Sequence, residues 1–511
     1  MANIVLCGGI SVVPYWRPIG IYQIANILRK KGYTVQVIDS FPWLVYTDFD
    51  KLLKIFDKFV DKDTLWIGFG STWFYRIENM FNDPQPKAGS SDGLMTTKPK
   101  QKLDAIKENT RLLNLDEIEK LKTLVYSKNP EIKFVMGGAR AFSGRKGFAS
   151  PLIDCYIEGF ADATVVEYTE YLDGKRDSIE HIKNEDGSIN IIHDHKGESF
   201  DFVHDKHSWH SSDLVIDGEI LPLETARGCI FSCAFCAYPL NGRKKLDYLK
   251  SSDILKDQFL ENYEKYNVTD YFFTEDTFND SPKKIRILHD EVVDKLPFKI
   301  TFSSYMRLDL LNAHRDTIPL LYNMGVRSVM FGIESMNYEA NKTVGKGIRK
   351  EKILEMGEVL QKEWPDTIKY ASWMLGLPND GEQEISEWLE EICKPDFPFD
   401  ISAVYPLTLD RWLHKKNIWN SKFNLNPEKY GYTFPQDKNS FFWVNNKGYS
   451  LADAVRMRNS YNKTHIKSKE KHLFEHNAFV RSFKADTWKQ RLQKRMDFNI
   501  KYMDRLLNYN G

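Results

Sequence analysis

The sequence predicts an α/β protein in two successive parts, a doubly wound parallel sheet and then an open six-unit (βα) barrel, with a mainly helical region after them. Short apolar runs alternate with amphipathic stretches through roughly the first 175 residues, and a second alternation of six units begins near residue 220. Strands separated by helices pair in parallel, because a parallel connection needs a crossover long enough to hold a helix. Six units suffice for a curved, open sheet and are too few for a closed eight-fold barrel. The alternation stops near residue 408.

The front part, residues 1–175, is read element by element. Asn3–Cys7 is an apolar strand leading into Gly8 and Gly9. Ile19–Lys31 carries Ile21, Ile24, Ala25 and Leu28 at helical spacing, and Gly32 stops it. Thr34–Ile38 is the next strand, Phe49–Phe59 an amphipathic helix, and Leu65–Phe69 a strand with Gly70 after it. Leu115–Tyr126 reads as helix, Phe134–Met136 as strand before Gly137 and Gly138, Ile153–Ile157 as strand before Gly159, and Ala163–Leu172 as helix. Ligands of doubly wound sheets bind beyond the carboxyl ends of the strands. That edge carries Gly8, Gly9, Gly70, Gly137, Gly138 and Gly159, where backbone can approach a ligand closely. Ordinary tight turns use glycine in the same way. Residues 76–114 break the rhythm with Pro84, Pro86, Gly89, Gly93 and Pro99, a polar insertion read as a long surface loop. Residues 176–218 read as a linker with a hairpin around Asp186–Gly187. His193, Asp194 and His195 follow it in a polar, solvated context.

The barrel spans residues 219–407. Its strands are Ile220–Ala226, Asp270–Thr274, Ile300–Ser304, Ser328–Phe331, Ile368–Leu375 and Ile401–Pro406. Between them lie helices near Asp253–Tyr266, Pro282–Leu296, Asp316–Met324, Lys350–Glu363 and Glu382–Cys393. Ser252 and Ser281 stand where N-caps belong, with Pro282 at a first helical position. Catalytic groups in such a barrel sit at the C-terminal ends of the strands. Residues 408–511 form an aromatic, helical tail with an amphipathic helix over Trp488–Leu507, expected to pack over the barrel mouth or its side.

Composition narrows the chemistry. The 511 residues hold 71 basic and 71 acidic side chains, a formal net charge of zero. That gives no bulk pull toward nucleic acid or an anionic membrane. No apolar run approaches the roughly 18 residues of a membrane-spanning helix. The first residues read as a strand and lack the basic-then-apolar layout of a signal peptide, so the expected setting is the cytoplasm. Of six cysteines, Cys7 and Cys155 fall in apolar strands and read as core. Cys229, Cys233 and Cys236 form a tight group. In a reducing compartment such a group means metal or redox chemistry.

That group lies in Arg227-Gly228-Cys229-Ile230-Phe231-Ser232-Cys233-Ala234-Phe235-Cys236, directly after the first barrel strand. A loop this tight wraps three corners of an iron–sulfur cubane. Such a cluster needs four ligands, and no fourth cysteine is close in sequence, so one iron is left open for a substrate. A zinc site would use four protein ligands with paired spacing. The C-x3-C-x2-C loop, with Phe235 before the last cysteine and its position after strand one of a six-unit barrel, resembles the radical S-adenosylmethionine (SAM) superfamily.

The resemblance implies a [4Fe–4S] cluster on Cys229, Cys233 and Cys236 and S-adenosylmethionine on its open iron. One electron then breaks the S–C5′ bond, and a 5′-deoxyadenosyl radical takes hydrogen from substrate. It implies SAM-binding positions at Phe235, at Glu275 and Asp276 after strand two, at Ser303, Ser304 and Arg307 around strand three, at Glu334 after strand four and at Gly376 after strand five. Tyr405 and Cys393 are candidates for a late hydrogen donor. A flavodoxin- or ferredoxin-type protein is the reductant this chemistry calls for.

The front domain is similar to the Rossmann-like domain of the cobalamin-binding members, on Phe134–Gly138, Ile153–Gly159 and Trp16–Gly20. Cobalamin is then a further cofactor, with Gly8, Gly9, Gly70, Gly137 and Gly138 as its lining, and methyl transfer the implied reaction. The D-x-H-x-x-G motif that sets a histidine on cobalt is absent, and Gly8–Ile19 holds no histidine. Two readings stay open: a cobalamin-dependent methyltransferase, or a rearrangement or cyclisation enzyme whose front domain does not use cobalamin. Methylthiolation would need a second cysteine triad, which scattered Cys7, Cys155 and Cys393 do not make.

Overall fold

A computed structural model describes residues 1–9, 17–70, 115–138, 152–184, 187–192, 200–238, 240–243, 245–409, 420–435, 442–464, 473–485 and 487–510. The polar insertion at 76–114 and the triplet His193–His195 lie outside them. The chain divides into two compact units: residues 1–201, 207–217 and 482–511, and residues 202–206 with 218–481.

The front unit is built on β1 (Ile4–Cys7), β2 (Val35–Ile38), β3 (Trp66–Gly70), β4 (Lys133–Gly137), β5 (Cys155–Glu158), β6 (Ile182–Lys183) and β7 (Ile189–Ile192). Their order is β2-β1-β3-β4-β5-β7-β6. All neighbours are parallel except β6 and β7. The first four strands are apolar over almost their whole length, as strands covered on both faces must be. The order reverses between β1 and β3, the switch point where such sheets leave a crevice at their carboxyl edge. Gly8 and Gly9 follow β1 there, and Gly70 ends β3.

Two expectations are corrected here. The stretch 176–218 is not a free linker: its hairpin adds β7 alongside β5, and residues 207–217 belong to the front unit. The tail is divided too. Helix Trp488–Asn508 belongs to the front unit, because Tyr502, Met503 and Leu506 bury themselves in its core with Phe41, Leu52 and Phe56. Lys58 fixes the end of that helix by donating to Leu507 O at 2.7 Å.

The second unit holds β8 (Leu221–Leu223), β9 (Asp270–Phe273), β10 (Thr301–Met306), β11 (Val326–Glu334), β12 (Ile368–Leu375) and β13 (Ile401–Pro406). They pair in parallel in sequence order, with β8 and β13 at the edges, the open six-stranded barrel sheet expected. β12 alternates strictly between half-buried and buried side chains. Its buried set packs outward: Trp373 stacks on Trp388 of helix Glu382–Ile392 at 5.5 Å. Its other set, Tyr370, Ser372 and Met374, faces the lumen, since successive side chains leave opposite faces. Register carries that face across the sheet through Met330 and Gly332 on β11, Ser303 and Tyr305 on β10, and Ala403 and Tyr405 on β13. Ser304 leaves the opposite face from Ser303. Among the described residues no helix is long and apolar enough to cross a membrane.

Candidate functional site

The cysteine loop leaves the C-terminal end of β8. Gly228 begins it at φ +131°, and a Cβ there would stand 2.9 Å from Leu240 O, so only glycine lets the following turn close over it. All three thiols are free; Cys229 is buried, Cys233 and Cys236 half-buried. Phe231 N–H donates to Cys229 Sγ at 3.5 Å and Tyr238 N–H to Cys236 Sγ at 3.4 Å. Such N–H···S bonds hold a cluster's thiolates and set its potential. Burial raises the Cys229 thiol and pushes Cys236 up to about 11. Deprotonation thus depends on the metal these sulfurs would bind. The loop, its donors and its glycine turn fit a cubane held at three corners.

Arg307, at the end of β10, is a cation aimed at this loop. Its Nη1 donates to Cys233 Sγ at 3.4 Å and its guanidinium stacks on Phe231 at 4.1 Å. Nε and Nη2 clamp Asp309 at 3.0 and 2.6 Å, and Nη2 also donates to Gly345 O at 3.0 Å. Glu275 is buried and turned toward β8: its Oε1 accepts from Thr225 N at 3.1 Å, Ala226 N at 3.0 Å and the Thr225 hydroxyl. Burial pushes its carboxyl up to about 7 against the pull of the Lys284 charge. Glu275 thus pins the strand end from which the cysteine loop starts. Asp276 differs, with surface open to solvent although protein encloses it; burial first and Glu224 second push it up to about 7.

The remaining positions are spread along the same strand ends. Ser303 is fully buried on the lumen face, and its hydroxyl has no partner among the described residues. Glu334 closes β11 at φ +72°, held by Lys346 Nζ at 2.5 Å, which also donates to Gly332 O at 2.6 Å. Lys346 lies 5.6 Å from the Phe235 ring. Gly376 follows β12 at φ +98°, and the Trp443 indole lies directly against it where a side chain would be. Tyr405 is 47% exposed, and its hydroxyl meets that of Tyr370 at 3.0 Å. Cys393 is not brought to this group. It ends the helix that runs back from β12 toward the start of β13, and so lies at the opposite end of the barrel sheet.

Sequence reasoning missed the residues beneath the loop. Asp280 accepts from Tyr248 OH at 2.6 Å and Ile230 N–H at 3.3 Å, and pairs with Lys284 at 2.7 Å, both side chains fully buried. Its one sequence signal was an acid and a base four apart at a helix start. Asp380, buried after β12, accepts from Ser335 at 2.8 Å and so ties the ends of β11 and β12 together.

The glycines of the front sheet are not alike. A Cβ on Gly8 would meet Asp39 Oδ1 at 2.7 Å, so its bare face is taken by Asp39. Gly137 has no atom within 4 Å of that position, and Gly70 only Cys7 O at 3.9 Å. Both statements hold among the described residues, which do not include those directly after β3 and β4.

Residues 223–392 match the family model of the radical SAM superfamily. An uncharacterized methyltransferase of Pyrococcus horikoshii is 23% identical over 267 residues, 50% of this chain, and the chain spans about half of that relative, 54% of its length. The radical SAM methyltransferase TsrM of Kitasatospora setae, solved with cobalamin and a [4Fe–4S] cluster bound, superposes with a TM-score of 0.59 at 14% identity. The match covers 98% of this chain and 100% of that one. The cobalamin-dependent radical enzyme OxsB, solved with aqua-cobalamin and S-adenosylmethionine, gives 0.56 at 14% identity over 99% of this chain and 71% of its own. The chain carries a radical SAM domain, and its fold is shared with TsrM and OxsB.

Proposed function

We propose that this chain is a radical SAM enzyme that cleaves S-adenosylmethionine reductively to a 5′-deoxyadenosyl radical and directs it to a cobalamin-dependent methyl transfer. The observation that carries the reading is the loop itself. Three thiols, supported by backbone N–H donors and the Arg307 guanidinium, end the first strand of a six-stranded parallel sheet within the radical SAM match. No fourth cysteine of the described residues supports the loop. Cys229, Cys233 and Cys236 would hold a [4Fe–4S] cluster there, which would supply the electron for cleavage of S-adenosylmethionine.

The chain's own residues orient what binds. Asp276 offers an accessible carboxylate for the methionine ammonium, and Ser303 a buried hydroxyl on the lumen face with no partner among the described residues. Glu275 and Arg307 act on the loop, holding its strand and Cys233. The Glu334–Lys346 pair, Phe235 and Gly376 bound the same edge. Tyr405, backed by Tyr370, is the accessible hydroxyl on the lumen wall that meets substrate.

Cobalamin is proposed on two grounds: the switch point of the front sheet, with Gly70 and Gly137 at the ends of β3 and β4, and the whole-chain likeness to two enzymes solved with cobalamin. It would bind without a histidine from Gly8–Ile19. The second reading, rearrangement or cyclisation without cobalamin, is favoured by that missing histidine and by Asp39 filling the bare face of Gly8.

The test is anaerobic incubation of the reconstituted protein with reductant, hydroxocobalamin and methyl-labelled S-adenosylmethionine. The expected products are 5′-deoxyadenosine and labelled methylcobalamin, both lost in Cys233→Ala. 5′-Deoxyadenosine without cobalamin methylation would select the second reading. No 5′-deoxyadenosine from a protein loaded with cluster would reject both.

A further inference from the structure

We propose that the part of the substrate taken into the barrel lumen is uncharged: an apolar, ring-sized body carrying a carbonyl, amide or hydroxyl group, with no carboxylate, phosphate or ammonium. The inference deepens the radical reading above and rests on it, since that reading makes the lumen the place where hydrogen is taken.

The two faces of the barrel sheet are opposite in burial. The outward set on β12, Ala371, Trp373 and Leu375, has no exposed surface. The lumen set keeps some: Tyr305, Met330, Ser372, Met374 and Ala403 are half-buried, and Tyr405 is exposed. In a closed barrel such side chains fill one another's space; here they wall a recess. Its lower end is shut within the same unit. Phe272, in register with Ser303, packs edge-on against Phe474 at 5.4 Å. Asn477 donates to Gly218 O at 3.3 Å and to the Asp270 carboxylate at the foot of β9.

Register stacks the lumen face in layers. Phe272, Ser303 and Ser328 share the lowest, both serines fully buried. Tyr305, Met330 and Tyr370 form the next, then Ser372 with Ala403, then Met374 with Tyr405. From that floor to the strand ends no residue in these layers carries a charge, and every polar side chain is a hydroxyl. Charge begins at the rim and is mostly paired there: Glu224 with Arg227 at 2.8 Å, Arg307 with Asp309, and Glu334 with Lys346 over the bare face of Gly332. The exception is Asp276, which is exposed and has no ion-pair partner among the described residues. Burial first, and Asp276 next, push the Tyr305 hydroxyl up to about 12, so it stays a neutral donor.

A carboxylate or phosphate brought into this recess loses its water, meets no cation on the walls and passes Asp276 at the mouth. An ammonium meets no carboxylate below the rim. Hydroxyls both donate and accept, so they serve a carbonyl, an amide or a hydroxyl alike. Met330 and Met374 mould to an apolar body. A largely apolar recess with a few orienting polar groups is the usual form of a small-molecule site.

The experiment titrates the anaerobically reconstituted full chain, with S-adenosylmethionine present, against three probes of one shape: naphthalene-2-carboxamide, naphthalene-2-carboxylate and 2-naphthylmethylammonium. Ligand-observed NMR gives each affinity, and 5′-deoxyadenosine is measured on the same preparation after reductant is added. The amide should bind at least about tenfold more tightly than either ion, and Tyr405→Leu should weaken it about tenfold. Met374→Lys puts an ammonium on the lumen wall through an unbranched side chain of similar length. It should raise the carboxylate's affinity at least about tenfold, a gain that misfolding cannot produce. An amide that binds no more tightly than either ion would overturn the proposal. So would a carboxylate affinity unmoved by Met374→Lys. Either result from a parent that forms 5′-deoxyadenosine removes this proposal and leaves the radical reading standing. A cluster-loaded parent that forms none removes both.

Discussion

Arg307 is the residue that most directly links the barrel wall to the cysteine loop. Its charge and its N–H both favour electron density on Cys233 Sγ, so they favour the reduced state of a cluster held there. Arg307→Gln should lower the cluster's reduction potential by about 60 mV, a tenfold change in a one-electron equilibrium. Redox titration followed by electron paramagnetic resonance measures it, and an unmoved midpoint would contradict the role. Lys284 works at greater depth. Lys284→Met leaves the Asp280 charge buried without its partner, a loss of about 3–5 kcal/mol. Thermal unfolding should drop by roughly 10 °C, and iron retention should fall with it, since Asp280 also holds Ile230 N–H. The double variant Asp280→Asn/Lys284→Met should recover much of the loss. At this scale the cysteines were legible, because their spacing is local. The contacts of Arg307 with Cys233, Glu275 with Thr225 and Glu334 with Lys346 were not, since they join residues 12 to 74 apart through the tertiary fold. The cap before helix Ser252–Tyr266 was off by one: Ser251, not Ser252, accepts from Ile254 N–H.

Elements were legible where a period could be counted. β12 and β13 and the helices Phe49–Phe59 and Lys350–Glu363 fall where the pattern put them. Helix Phe41–Thr47 was missed, because seven residues, five of them buried, show no polar face. Helix Ile19–Lys30 buries Ala25 and Leu28 as its spacing put them, but its inner face is turned from the one expected. Gln23 and Asn26 are buried because residues 207–208 return to bond them, while Ile21 and Ile24 stay half-buried. The predicted helix Pro282–Leu296 is α only to Ile287, then widens into a π-turn that apolar spacing does not reveal. The joint between the ends of β11 and β12 can be tested through Asp380. Burial pushes its carboxyl up to about 7, against hydrogen bonds from Ser335 and Asn337. An unfolded Asp titrates near 3.9. Between these values the folded protein holds a proton that the unfolded chain has released, so stability falls as pH rises through that window and levels off above about 7. Asp380→Asn removes this titration. The melting temperature of the variant minus that of the parent should rise from pH 5 to pH 7.5; a constant difference would contradict the assignment.

At the scale of the whole molecule, the order of the parts could be read, and their closure could not. Both sheets follow from alternation, but residues 482–511 join the front unit across more than 400 residues of chain, through an apolar helix face whose partner no local pattern names. The central claim is that one unit holds a cluster on three cysteines and the other a cobalamin. Anaerobic reconstitution with iron, sulfide and hydroxocobalamin, removal of unbound ligand, and metal analysis with a visible spectrum test it most directly. The expected result is about four irons and about one cobalt per chain, with iron lost in Cys233→Ala. Iron without cobalt would contradict the cobalamin half, and no iron, or iron indifferent to Cys233→Ala, would contradict the account at its centre.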